Sequence, residues 1–220
     1  MASTAGRGRG RYARTAARRQ EIAQAVLDLV VEKGHAKVTT AEVGTRAGTS
    51  EATVLYHFPT KDHLLVAALE RDDQLLRAQA ERDGVALADG LRGLDLDALG
   101  DFARTAVRRE PLLRLYVAVL GLAAIPGHPA EEYISRQYRL AVEGYACLVA
   151  ERQRDGQAHP GLDPTEVARQ FIGAWDGLKL QWLQSPDFDI GDALVGAFRR
   201  LSGQNWMEAA RTLLESPASI

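Results

Sequence analysis

Within a short span this chain gathers hydroxyls, an imidazole and cations at spacings suited to gripping a polyanion. Thr39 and Ser50 each precede a brief helical pattern, where a hydroxyl can cap the helix and offer a donor to phosphate. Glu51, Ala52 and Thr53 form the turn after Ser50. Thr53 and Ala52 can touch a thymine methyl, and Glu51 can accept from cytosine N4 or simply favour the positive helix end. Tyr56, His57 and Lys61 follow with polar tips that suit phosphate, or for the two rings helix-end packing. Upstream, an arginine-rich stretch holds Arg7, Arg9, Arg11 and Arg14, followed by Arg18 and Arg19. Such an arm can enter a narrow minor groove or act as a solvated tail, and Arg18 is its best candidate for a phosphate contact.

The elements that must position these groups read as helices. Residues 1–17 lack apolar periodicity and are expected to be a disordered basic arm. From Arg18, the residues Ile22, Val26, Leu29 and Val30 fall on one helical face, and Gly34 ends it. Thr39 and Glu42 form a capping box for a second, brief helix. Ala47-Gly48-Thr49 turns the chain, Ser50 caps a third helix, and Pro59 ends that helix near Phe58, which should be core. Two short helices across a tight turn containing glycine make a helix-turn-helix, whose second helix must enter a major groove about 12 Å wide.

The residues Ile22, Ala25, Gly34, Thr39, Val43, Arg46-Ala47-Gly48, Ser50, Thr53-Val54-Leu55-Tyr56-His57-Phe58, Lys61-Asp62 and Leu64-Leu65 together resemble the DNA-binding head of TetR (tetracycline-repressor) family regulators. The sequence departs from that pattern at Gly44, usually alanine, and at Thr40 and Thr49, usually apolar. Glycine at 44 should cost its helix about 1 kcal/mol. The resemblance implies a sequence-specific transcription regulator, by family default a repressor, released from a palindromic double-stranded operator by a small-molecule effector.

Downstream of residue 63 the chain continues as further helices, for about nine to ten in all, with no strand pattern. The expected class is all-α. A head over 18–63 is followed by an effector-binding and dimerisation domain over 64–220. The segment Trp175-Asp176-Gly177-Leu178 with Gln181-Trp182 resembles a helix of many actinobacterial members of the family. Gly173 and Gly177 share one side of it, and with Leu178 and Trp182 they are expected at the homodimer interface, in a four-helix bundle. Lys179 and Asp176 exclude a membrane Gly-x-x-x-Gly reading. Phe102, Tyr116, Tyr138, Tyr145, Phe171 and Trp175 are candidates to line an effector pocket, or are plain core. Arg104, Arg108 and Arg109 can attract an anionic effector or remain solvated.

Charge divides along the chain. Residues 1–63 hold 10 Lys+Arg against 6 Asp+Glu, whereas the remainder is net acidic at 17 against 23, so the head is the part suited to a polyanion. Enzymatic fingerprints are absent: the five histidines lack metal-ligand spacing, and no Gly-x-Ser-x-Gly, P-loop or dinucleotide motif occurs. No cofactor or metal is expected. The single Cys147 fits a reducing cytoplasm, and the longest apolar run is too short to span a bilayer. A helical protein-interaction module without operator binding is the competing reading.

Overall fold

The computed structural model describes residues 5–82, 91 and 93–215, with side chains for 14–82, 91, 93–212 and 214. Among them are ten α-helices and no strand. Capping chemistry fixes most helix starts. Asp163 accepts the N–H groups of Thr165 (2.7 Å) and Glu166 (3.2 Å) ahead of Pro164 at the first helical position, and Asp189 accepts that of Asp192 (2.8 Å).

Contacts divide the chain into two compact units, the first comprising Met1–Asp83 with Arg109–Ile134 and the second Gly84–Arg108 with Ser135–Ile220. The first unit contains α1 (Ala5–Lys33), α2 (Thr40–Arg46), α3 (Glu51–His57), α4 (Lys61–Arg82), α6 (Glu110–Leu122) and the start of α7 (Ala130–Arg154). Ile22, Val26, Leu29 and Val30 of α1 are all buried, as their spacing required. They pack with Leu64, Leu65, Ala68 and Leu69 of α4 and with α6, which contributes Leu112, Leu113, Leu115 and Val119. The compact unit that holds the helix-turn-helix thus also takes in residues beyond 63. Six consecutive residues of α4, Leu64 to Leu69, are buried, so this part of α4 belongs with the head.

A second difference concerns the N-terminal arm. α1 begins at Ala5, so helix occupies most of the stretch expected to be unstructured. Ala13, Arg14, Ala16 and Ala17 are strong helix formers, and extending an existing helix needs no new nucleus, which works against the cost of Gly6, Gly8 and Gly10. Residues 1–4 and the side chains of Arg7, Arg9 and Arg11 lie outside the described residues, so the minor-groove expectation falls there.

The second unit contains α5 (Leu96–Arg108), the rest of α7, α8 (Pro164–Gln184), α9 (Ile190–Leu201) and α10 (Gln204–Glu215). Its core joins Leu99, Tyr145, Leu148, Phe171, Trp175, Leu194 and Phe198. Phe171 sits edge-on between Tyr145 (4.7 Å between centroids) and Phe198 (5.1 Å), the arrangement aromatic quadrupoles favour. α5 crosses α9 so closely that a Cβ on Gly191 would lie 2.7 Å from the Gly100 carbonyl. Arg104 closes that crossing through Asp189 and Asp192 (3.0 and 2.7 Å).

Candidate nucleic-acid interface

The turn between α2 and α3 depends on glycine. Gly48 has φ +62°, a conformation that residues bearing a Cβ rarely adopt. Gly44 serves a different purpose: a Cβ there would stand 3.0 Å from the Glu51 nitrogen and 3.1 Å from the Thr49 carbonyl. The Thr49 N–H donates to the Gly44 carbonyl at 2.8 Å. The departure from alanine at this position thus permits a close crossing of α2 and α3.

Both helix starts are locked by side chains. Thr39 Oγ1 accepts the Glu42 N–H (3.3 Å), and the Glu42 carboxylate accepts from the Thr39 N–H (3.2 Å) and hydroxyl (2.7 Å). Lys33 reaches the same carboxylate at 2.5 Å. These partners, Lys33 first and Thr39 second, hold the Glu42 pKa down to about 2. Ser50 Oγ accepts the Thr53 N–H at 3.1 Å and lies 2.9 Å from the Thr53 hydroxyl. Thr40 donates its hydroxyl to the Glu51 carboxylate, which joins the first turn of α2 to the first turn of α3.

The far end of α3 is held by α1. Arg19 donates to the His57 carbonyl at 2.6 Å, and its guanidinium stacks 4.3 Å from the centre of the buried Phe58 ring. Arg18 donates to the Ala47 carbonyl at 3.4 Å and pairs with Glu21 at 2.8 Å. Arg46 forms a two-point pair with Glu32 (2.7 and 2.8 Å). His57 is half-buried, and its pKa is depressed by burial first and by Arg19 and Arg18 second.

Within this frame Thr39, Ser50, Glu51, Ala52 and Tyr56 are exposed, Arg18, Thr53, His57 and Lys61 half-buried. Tyr56 stands furthest out, 82% exposed, edge-on to His57. Lys61 donates from its ammonium to the Ala36 carbonyl at 2.9 Å. Two features escaped the sequence reading. Arg19 fixes the end of α3, which only its contact with Phe58 reveals, and Leu55 is 41% exposed although apolar. An apolar residue left exposed within so short a helix was the available signal.

The other candidates disperse. Tyr116 lies half-buried in the first unit, while Phe102, Tyr138, Tyr145, Phe171 and Trp175 belong to the second. Tyr145, Phe171 and Trp175 are core. Phe102 is 53% exposed and rests against Trp175, with 5.8 Å between ring centres. Tyr138 donates to Asp176 at 2.6 Å, and the opposite carboxylate oxygen pairs with buried Lys179 at 2.7 Å. Three clefts of the first unit, among the described residues, are lined by other side chains than these aromatics. The cleft lined by Leu27, Val31, Leu75, Leu76, Asp72 and Arg109 encloses about 460 Å³. Arg104 is committed to its aspartates, Arg108 donates to Thr105, and Arg109 pairs with Asp72, so each has a partner within the chain. On α8, Gly173 and Gly177 are open to added side chains, whereas Leu178 and Trp182 pack on the core of their own unit. The described residues hold no cluster of His, Cys, Asp and Glu able to bind a metal, and none of their helices is long and apolar enough to cross a membrane.

A compact helix-turn-helix, capped at both short helices and braced by α1, with an exposed aromatic on its second helix, defines a DNA-binding transcription regulator. Residues 22–68 match the model of the bacterial regulatory proteins of the tetR family. The transcriptional repressor KstR of Mycolicibacterium smegmatis is 35% identical over 188 residues, spanning 84% of this chain and 87% of that protein. The KstR of Mycobacterium tuberculosis is 28% identical over 193 residues, 84% and 81% of the two chains. In fold, the chain resembles Thermus thermophilus FadR, a TetR-family repressor solved with lauroyl-CoA, with a TM-score of 0.59 at 18% identity over 84% of this chain and 94% of that one. The chain belongs to the TetR family.

Proposed function

We propose that this protein is a cytoplasmic, homodimeric repressor, without enzymatic activity, that reads a palindromic operator through α3 and leaves it when a small molecule binds its body. The carrying observation is the state of α3. Its start and end are tied to α2 and α1, while Ala52, Leu55 and Tyr56 are left facing outward. Rigid support with an outward reading face is what base recognition demands, because a mobile helix would lose its ordering entropy on binding.

In this reading Thr39, Ser50, Tyr56, His57 and Arg18 meet phosphates, and Ala52, Thr53 and Leu55 meet base edges. Lys61 uses one of its three donors on Ala36 and keeps the others for phosphate. For the effector we favour the second unit around Phe102, Trp175 and Tyr138, where a ligand would part rings that now touch. The complex of FadR with lauroyl-CoA supports a small-molecule signal in a protein of this fold.

Selection of genomic fragments by the purified protein, with affinity followed across salt, tests the reading. The expected result is a shared palindrome bound with a steep salt dependence, each neutralised phosphate contributing a slope of about −0.9. Sequence-blind or absent binding, in protein freed of small molecules by unfolding and refolding, would overturn it.

A further inference from the structure

The first turn of α4 holds two neighbouring side chains that reach in different directions. Lys61 donates to the Ala36 carbonyl in the turn after α1. Asp62 faces His128, in the loop between α6 and α7, with 3.2 Å from Oδ2 to the imidazole Nε2. That loop is braced by its own hydrogen bonds. Gly127 N–H donates to the Glu131 carboxylate (2.9 Å), Glu131 N–H to the His128 carbonyl (2.9 Å), and His128 N–H to the Ile125 carbonyl (3.1 Å).

The His128 ring is oriented as well. Its Nδ1 accepts the Ala130 N–H at 3.1 Å, which in the neutral ring puts the proton on Nε2. The side chain is only 11% exposed, and Nε2 makes no hydrogen bond among the described residues. A buried N–H without a hydrogen bond is costly to leave alone, and the Asp62 carboxylate stands 3.2 Å from it, so the loop position and the Asp62 position depend on each other.

We propose that His128 is a positioning residue for the DNA-reading head: it latches the α6–α7 loop to the first turn of α4, and displacement of that loop loosens α3. This rests on the DNA-binding reading above. Little slack separates the latch from the reading helix. α3 ends at His57, Phe58 is buried, and Thr60 is bonded to His63 through its hydroxyl (2.8 Å to Nδ1) before Lys61 opens α4. A shift of Asp62 must therefore be taken up by α3 or by the Lys61 contact. The device gives the loop a mechanical hold on operator affinity without touching DNA.

The test is a double-mutant cycle on the full-length protein, with operator affinity read by fluorescence anisotropy on the selected duplex. H128A and D62A should each weaken binding about tenfold, and the double variant should be no weaker than the worse single, because both remove one interaction. H128Q, which keeps an N–H donor, should restore most of the affinity. Melting temperatures serve as the control for folding. Hydrogen exchange without DNA should show faster exchange at residues 61–64 and in α3 for both alanine variants. Additive losses, wild-type affinity in both singles, or unchanged exchange would overturn the latch. Failure of the unsubstituted protein to select any sequence, with the exchange differences present, would instead strike the DNA-binding reading.

Discussion

Glu51 shows how a single side chain can be read in two ways until its neighbours are known. At the first turn of a recognition helix it is able to accept from cytosine or to favour the positive helix end. In the structure its carboxylate takes the Thr40 hydroxyl, eleven residues away, and so joins α2 to α3. His57 carries a more consequential commitment. Burial, then Arg19 and Arg18, place its pKa below the ordinary 6.5, so the folded protein favours the neutral ring. Acidification below that value therefore weakens the fold, since the unfolded chain binds the proton more readily. A phosphate laid against the ring acts in the opposite sense and favours the imidazolium. Operator binding should then take up protons, and affinity should rise as pH falls from about 7.5 to 6, by at most about tenfold per pH unit for each head. Anisotropy titrations across that range, with H57Q as comparison, check this: the substitution should flatten the pH dependence, and an unaltered profile would remove His57 from the interface.

At the scale of elements, Gly44 sets two effects against each other. Alanine there would favour α2 by about 1 kcal/mol. Its Cβ would also press on backbone atoms of Thr49, Ser50 and Glu51 at 3.0 to 3.2 Å, none of which can rotate away. Overpacking of that kind typically costs about 1–3 kcal/mol, or moves the crowded element instead. G44A should therefore leave the melting temperature within a few degrees of wild type, while operator affinity falls about tenfold because α3 is displaced. Calorimetry and anisotropy on one preparation separate the two effects, and equal affinity would mean that α3 yields without losing register. The same helix marks what sequence could and could not reveal. Element ends were legible wherever one residue determines them, as at the Thr39–Glu42 box, Gly34, Gly48, Pro59 and Asp163. The core stripe of α1 was legible because its period is local. The backward extension of α1 to Ala5 was not, since Gly-, Ala- and Arg-rich sequence carries no apolar period even when it extends a helix. Nor were partners made only by folding: Lys61 with Ala36, or Arg104 with Asp189, 85 residues apart.

For the whole molecule, a single head reading a few base pairs gives little discrimination, and a twofold pair of heads about 34 Å apart multiplies it. The second unit offers a face for that pairing. Along α8, Gly173 and Leu180 are exposed and Gly177 half-exposed, seven residues spanning two helical turns on one side. An added Cβ at Gly173 meets nothing within 4 Å, and one at Gly177 meets only the Gln181 amide at 3.8 Å. The chain's own packing therefore does not require glycine at 173; replacing it should favour an isolated helix by about 0.8 kcal/mol. If a partner helix approaches along this stripe, a large side chain forbids that approach and nothing else. G173R is thus expected to give a folded protein of half the wild-type mass in light scattering, with native helicity by circular dichroism. It should bind a single half-site as wild type does yet lose most of its affinity for the full palindrome. Leu178 and Trp182, packed on their own core, should behave differently: L178A and W182A should lower thermal stability whatever their effect on association. A G173R protein that stays dimeric would move the interface off this face of α8, and with it the geometry that spaces the two heads.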